Sequence, residues 1–208
     1  MINAGTVATF MIVVLGLFLV PGPAVLLTLA RATSGGRRVG IATGFGIAAG
    51  DLVHATMATL GLSVVLMTSA LAFNVVKYAG VTHLVYLGIR AFFEKAEALN
   101  LPKTRRMDVS RAFRQAVLTE MLNPKTALFF LAFLPQFVHP ENGPAIAQFA
   151  WLGLIFVAMS VAYTSLIAVG AGALTPWLSR HRNVGRWQGK IVGTIYLSLS
   201  VRLALQER

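Results

Sequence analysis

Long apolar segments dominate the chain, and short polar stretches separate them. Residues 1–30 carry no charged side chain, and residues 39–93 are interrupted by only three charged positions. Because a bilayer core requires about 20 apolar residues in helical conformation, the first segment suits one transmembrane helix and the second suits two. A cleaved signal peptide is disfavoured, since no basic residue opens the first segment and its apolar run is too long. The pattern predicts spans over about 1–30, 40–66 and 70–92.

The second half of the chain repeats this alternation. A polar stretch at about 94–114 precedes a fourth apolar segment over about 115–138, and the turn-forming sequence HPENGP separates it from a fifth over about 145–178. The fifth segment is longer than a bilayer requires, so we expect it to be tilted or kinked. The sixth, over about 191–201, is short and spans the bilayer only if the basic side chains that flank it extend to the interfaces.

Composition supports an integral membrane protein. Hydrophobic residues make up 56% of the chain and charged residues only 12%, whereas a soluble domain has about 25% charged residues. The mean hydropathy of +0.72 agrees with this interpretation. The chain has no cysteine, which excludes disulfides and thiolate metal sites.

The net charge of +11 is explained by the orientation of the chain in the membrane. Of the 18 Lys and Arg residues, 14 lie within or beside three connections, at about 31–39, 94–114 and 179–190. The positive-inside rule places these three connections in the cytoplasm and therefore both termini outside. Because orientation accounts for the charge, the charge does not indicate a nucleic-acid partner.

Two proline-containing segments lie about half a chain apart. The sequence VPGPAVLL at 20–27 is similar to LNPKTALF at 122–129, and the offset is 103 residues when Pro21 is aligned with Pro124. A single proline in an apolar helix is often an ordinary packing kink. Broken helices at matching places in two halves, however, are typical of a substrate site near the bilayer midplane.

Three spans in each half would insert with opposite orientations, which is the inverted-repeat plan of many secondary transporters. The predicted fold is therefore all-α and integral to the membrane, with six transmembrane helices arranged as two inverted three-helix repeats. We expect one membrane domain over residues 1–208, in which repeat one covers about 1–95 and repeat two about 112–208. The cytoplasmic loop over about 94–114 joins the repeats.

Asp51 lies near the middle of the second predicted span. An aspartate there costs about 2.5–3.5 kcal/mol on insertion scales, so we expect it to face the helix bundle and to have a partner or a function. It is either a permanently paired structural ion or a titratable group that carries a proton. His54 lies three residues later on the same helix face, and a hydrogen-bonded packing role is the favoured interpretation for it.

The fourth predicted span contains a second polar group. Glu120 is close enough to the cytoplasmic end that an interfacial position is as well supported as a buried one, whereas Lys125 is too deep to reach the interface easily. Asn123 precedes Pro124 and can donate or accept hydrogen bonds. One arrangement left open pairs Lys125 with Asp51 across the repeat interface. Weaker candidates for substrate contact are Tyr163, Thr164, Ser165, His83 and Tyr86.

Several short motifs, spread over nearly the whole chain, occur together in a recognisable combination. They are Pro21-Gly22-Pro23, Ser34-Gly35-Gly36-Arg37-Arg38, Gly40-Ile41-Ala42-Thr43-Gly44, Gly50-Asp51, Tyr86-Leu87-Gly88, Asn123-Pro124-Lys125 and Phe133-Leu134-Pro135-Gln136-Phe137. The combination resembles the bacterial lysine and homoserine/threonine exporters (LysE/RhtB type). The resemblance implies a transporter rather than an enzyme. It would export amino acids or close derivatives across the cell inner membrane by proton antiport.

A zwitterionic amino acid requires one group that binds its carboxylate and another that binds its ammonium. Lys125 and the amides of a broken helix suit the carboxylate, and Asp51 or Glu120 suits the ammonium. The full set of candidate residues for the substrate and proton pathway is Pro21, Gly22, Pro23, Asp51, His54, Glu120, Asn123, Pro124 and Lys125.

Other classes of function stay open. An exporter of another small solute or of a divalent metal ion would use converging carboxylates or imidazoles, of which Asp51, His54 and Glu120 supply a sparse set. A membrane-embedded enzyme or complex subunit is less favoured, because the chain has no Walker A, zinc-hydrolase or nucleophile-elbow motif. The sequence indicates no cofactor and no metal site. Its expected partners are the lipid bilayer, protons and an amino acid, and it is compatible with a homo-oligomer.

Overall fold

A computed structural model describes residues 2–19, 22–68 and 107–180, with scattered positions between 75 and 93 and between 190 and 201. All regular secondary structure in these parts of the chain is helical, which confirms the predicted all-α class. The six α-helices with described bounds are α1 (Ala4–Leu19), α2 (Pro23–Gly35), α3 (Arg37–Thr68), α4 (Val109–Met121), α5 (Pro124–Leu128) and α6 (Ala145–Arg180). A π-helical turn at Phe129–Phe133 and 3₁₀ turns at Leu134–Phe137 and Pro140–Asn142 complete the described helical segments.

Two helices are long and apolar enough to cross a bilayer alone, over Arg37–Leu62 in α3 and Ala145–Thr175 in α6. They match the second and fifth predicted spans. The first and fourth predicted spans are each broken, because α1 meets α2 at an angle of 60° and α4 meets the segment Pro124–Phe137 at 46°. The third and sixth predicted spans lie largely outside the described residues. The six-helix inverted repeat therefore stays a prediction.

The two breaks arise where a proline starts a new helix. Pro23 and Pro124 lie in the first turn of α2 and α5. Proline is well suited to the first helical position because the amide hydrogen it lacks has no helical partner there. Asn123 caps α5, since its side-chain oxygen accepts a hydrogen bond from the Lys125 amide at 3.1 Å. The helix breaks predicted from the two proline-containing segments are thus present in both spans, whereas Pro21 itself lies outside the described residues.

The connection predicted over 31–39 is also shorter than expected. Helix α2 continues to Gly35 and α3 begins at Arg37, so Gly36 alone, with a φ of 83°, makes the turn. Glycine accepts this left-handed backbone without a steric penalty. Arg31 is consequently buried in α2, and its Nη2 donates a hydrogen bond to Oε1 of Gln115 at 2.5 Å.

The other two predicted connections are also shortened by helix. Helix α4 starts at Val109 instead of about residue 115, and the Asp108 side chain caps it. Its first turns therefore occupy the end of the connection predicted over 94–114. Similarly, α6 continues to Arg180, into the start of the connection predicted over 179–190. The remaining parts, 94–106 and 181–189, lie outside the described residues.

Helix α3 is the central element, and it packs against α6, α4 and α2. Glycines on α3 allow this close approach. A Cβ atom placed on Gly50 would lie 2.6 Å from Cβ of Glu120 on α4, and one on Gly44 would lie 2.6 Å from Oγ1 of Thr164 on α6. Small residues at such helix crossings let backbones approach one another. The packing places the Asp51 turn of α3 beside both broken spans.

Candidate functional site

A cavity of about 40 Å³ lies where the two helix breaks face α3 and α6. This volume has room for about three water molecules. Its polar and charged lining includes Asp51, Glu120, Asn123, Lys125 and Tyr163. Both breaks contribute to the cavity, because Gly22 precedes α2 and Asn123 precedes α5.

Asp51 and Glu120 form a buried carboxyl pair. They are 2% and 1% exposed, and their side chains interact directly. Ser160 on α6 donates a hydrogen bond to Oδ2 of Asp51 at 2.5 Å. Glu120 is therefore covered by protein, because α4 packs tightly against Gly50 of α3. Its depth in the membrane stays a prediction.

Glu120 is held by donors from its own broken span. Asn123 donates from Nδ2 to both carboxyl oxygens, at 3.1 and 3.2 Å, and Thr126 donates from Oγ1 to Oε1 at 2.5 Å. Asn123 thus has two tasks, since its oxygen caps α5 while its amide group binds Glu120. The break itself allows this arrangement, because the bend of 46° lets Thr126, six residues after Glu120, reach its carboxyl group.

Lys125 is directed towards the end of α1. Its Nζ donates a hydrogen bond to the carbonyl oxygen of Leu17 at 2.7 Å. Among the acidic groups, Glu120 exerts the electrostatic attraction on Lys125. The direct pair between Lys125 and Asp51, which the sequence left open, is not formed among these residues, because Asp51 instead binds Ser160 and faces Glu120.

Tyr163 serves the same end of α1. Its hydroxyl donates a hydrogen bond to the carbonyl oxygen of Phe18 at 2.8 Å, and its ring stacks on Phe18 with centroids 5.3 Å apart. The last carbonyls of a helix have no partner within that helix. Two side chains from the second half of the chain therefore bind the carbonyls exposed by the break in the first half.

His54 makes the reverse contact, from the first half of the chain to the broken span of the second half. Its Nε2 lies 3.0 Å from the carbonyl oxygen of Glu120, near the end of α4, and its ring stacks on Phe130 with centroids 6.1 Å apart. A residue of the first half thus binds the broken helix of the second half. His54 does not appear in the cavity lining. Within the described ranges, no three His, Asp or Glu side chains group as metal ligands, and this includes Asp51, His54 and Glu120.

The sequence interpretation missed two polar residues of the cavity, Ser160 and Thr126, and it named none of the apolar side chains that line it as candidates. Ser160 had a weak signal, because Thr164 lies one helical turn later and also lines the cavity within an otherwise apolar α6. No sequence pattern pointed to Thr126, because this residue reaches Glu120 only through the break in the span. Pro23 and Pro124 start helices but do not line the cavity.

Comparison with known proteins then identifies the family. The model of the LysE type translocator family matches residues 15–207. The chain belongs to the LysE type translocators. The resemblance inferred from its motifs is thereby confirmed, and the chain is a membrane exporter of this family. No solved structure matches this translocator.

Relatives of this LysE type translocator cover nearly its full length. The uncharacterized membrane protein PA4757 of Pseudomonas aeruginosa is 29% identical over 201 residues, which is 94% of this chain and 93% of the relative. YrhP of Bacillus subtilis, also an uncharacterized membrane protein, is 28% identical over 196 residues, or 90% and 92% of the two chains. The leucine efflux protein of Salmonella typhimurium is 23% identical over 197 residues, or 94% and 93%.

Proposed function

We propose that this translocator exports amino acids or close derivatives across the bacterial inner membrane by proton antiport. The observation that carries the proposal is the presence of opposite charges in one cavity at two helix breaks. Lys125 and the Asp51–Glu120 pair both line this cavity. A zwitterion requires this combination, since each end of the ligand needs a group of opposite charge when it leaves water. The existence of a leucine efflux protein among the relatives supports an amino acid as cargo.

The carboxylate of the substrate binds at Lys125 and the start of α2. Gly22, Ala24 and Val25 line the cavity at this helix N-terminus, where backbone amides and the helix dipole favour negative charge. Lys125 exchanges its hydrogen bond with Leu17 for one with the substrate. The substrate ammonium binds at Asp51, beside Glu120.

The carboxyl pair couples the substrate to protons. Two adjacent buried carboxylates repel each other, and this repulsion is relieved when they share a proton or when an ammonium lies beside them. The proton and the substrate ammonium therefore compete for Asp51 and Glu120. Competition for one site lets a proton entering from outside release the amino acid, which is the basis of antiport.

The topology follows the same proposal. Six spans form two inverted repeats, the three basic connections face the cytoplasm, and both termini face outward. The bends of 60° and 46° at matching places in the two halves support the repeat. The cavity then lies between the repeats, as in other transporters with discontinuous helices.

Reconstitution tests this function directly. Liposomes that contain the purified protein are loaded with radiolabelled amino acids. Release of the label is measured with and without a proton gradient in which the external buffer is acidic. We expect the gradient to accelerate release and a protonophore to remove the acceleration. Release of no amino acid, or release indifferent to the gradient, contradicts the proposal.

The variant Asp51→Asn tests, in the same assay, whether Asp51 couples amino-acid release to the proton gradient. We expect this variant to insert normally and to lose the acceleration by the proton gradient. Asp108→Asn is the matched control, because Asp108 caps α4 outside the cavity and its side chain is 60% exposed. Unchanged gradient-driven release by Asp51→Asn would show that Asp51 does not carry the proton.

A further inference from the structure

The two acidic side chains of the cavity lie next to each other. Asp51 and Glu120 are its two acidic residues among the described lining, and their side chains interact directly. Donors of the protein already surround them: Ser160 binds Asp51, while Asn123 and Thr126 bind Glu120. Because the two acids are adjacent, they can bind one ammonium group of a ligand. They cannot also bind a second ammonium group at the other end of that ligand.

The side of the cavity next to this location is apolar. Ile47 lies one helical turn before Asp51 on α3, so the two side chains share a helix face. Ile47 is buried, and Leu17 and Val25 line the cavity with it. A ligand whose ammonium binds Asp51 and whose carboxylate binds Lys125 therefore directs its side chain towards aliphatic carbon.

From this geometry we infer that the translocator selects amino acids with uncharged aliphatic side chains and excludes those with cationic side chains. The inference rests on the proposed function and names the substrate class of the same site. The side-chain ammonium of lysine lies a full side-chain length from its α-ammonium, where no described acidic group lines the cavity. Burial of an ammonium without a partner is far costlier than burial of a methyl group.

Norleucine and lysine provide the most direct comparison, because they have the same straight carbon chain and differ in the terminal ammonium. An apolar pocket disfavours an isostere with one added hydroxyl by about 100-fold, and an ammonium is harder to bury than a hydroxyl. We therefore expect norleucine and leucine to be released from proteoliposomes at least about 100-fold faster than lysine or ornithine, at equal concentration.

A variant pair tests whether Ile47 defines this selectivity. Ile47→Glu places a carboxylate in the apolar side of the cavity. Ile47→Gln is the control, because glutamine has nearly the same shape as glutamate but carries no charge. We expect Ile47→Glu, but not Ile47→Gln, to reduce the preference for norleucine over lysine by at least about tenfold. If Ile47→Glu does not fold, Val25→Asp and Val25→Asn form an equivalent pair, because Val25 is only partly buried.

The outcomes distinguish this inference from the proposed function. Faster release of norleucine than of lysine by the unmodified protein supports the inference. Equal release of the two, or faster release of lysine, overturns the inference and leaves amino-acid export intact. Release of no amino acid at all overturns the proposed function, and the inference with it.

Discussion

Lys125 on α5 donates a hydrogen bond from Nζ to the carbonyl oxygen of Leu17 at the end of α1, over 2.7 Å. Tyr163 on α6 binds the next carbonyl, that of Phe18. In a bilayer, backbone groups exposed at a helix break must find a partner inside the protein. The second half of the chain supplies two of these partners and so stabilises the break in the first half.

Removal of the Tyr163 hydroxyl tests this role. Tyr163→Phe keeps the ring that stacks on Phe18 but leaves the Phe18 carbonyl without its donor. We expect a loss of about 1 kcal/mol in the free energy of unfolding, which is typical of hydrogen bonds between membrane helices. Denaturation in detergent measures it. Tyr163→Leu removes the stacking as well, and we expect it to cost more; equal stability of all three proteins would contradict this role.

Lys125→Met tests the binding of the substrate carboxylate. The variant removes the ammonium and keeps a side chain of similar length, so we expect the Kd for leucine to rise at least about tenfold. Leucinamide lacks the carboxylate, and its binding should change much less. Isothermal titration of both ligands to the purified protein measures the difference. An equal loss for leucine and leucinamide would show that Lys125 acts on the fold and not on the carboxylate.

Gly50→Ala tests the close approach of α3 and α4. The added Cβ would lie 2.6 Å from Cβ of Glu120, so we expect the helices to separate and stability to fall by about 1–3 kcal/mol. Gly61→Ala is the matched control on the same helix, because a Cβ there meets nothing within 4 Å. Alanine favours helix over glycine by about 1 kcal/mol, so this control should be neutral or stabilising. Thermal unfolding in detergent compares the two.

Cysteine labelling tests the proposed orientation in the membrane. The chain contains no cysteine, so a single introduced thiol reports its own position without interference. Arg38 lies at the start of α3 and Asn142 lies in the turn Pro140–Asn142, and both residues are exposed. In intact cells, a membrane-impermeant maleimide should label Asn142→Cys and should label Arg38→Cys only after permeabilisation. The reverse pattern would invert the topology.

Much of the architecture could be predicted because it depends on local properties. Hydropathy alone located the spans that became α3 and α6, and the two prolines located the breaks. The same reasoning failed at the connection over 31–39, because it treated Arg31 as a surface residue. Arg31 is instead buried in α2 beside Gln115, which is 84 positions away in sequence. A contact of that range depends on how two helices pack, and no local pattern contains it.

The sequence by itself determined that this is a helical membrane protein, that its first and fourth spans are interrupted, and that Asp51 lies in apolar surroundings. Helix length, proline geometry and the cost of burying charge act on neighbouring residues, so they can be read along the chain. Only the tertiary structure decided the partners: Glu120 and Ser160 for Asp51, and the end of α1 for Lys125. These depend on which faces of distant helices meet, and the glycines of α3 determine that by allowing α4 and α6 to approach it closely.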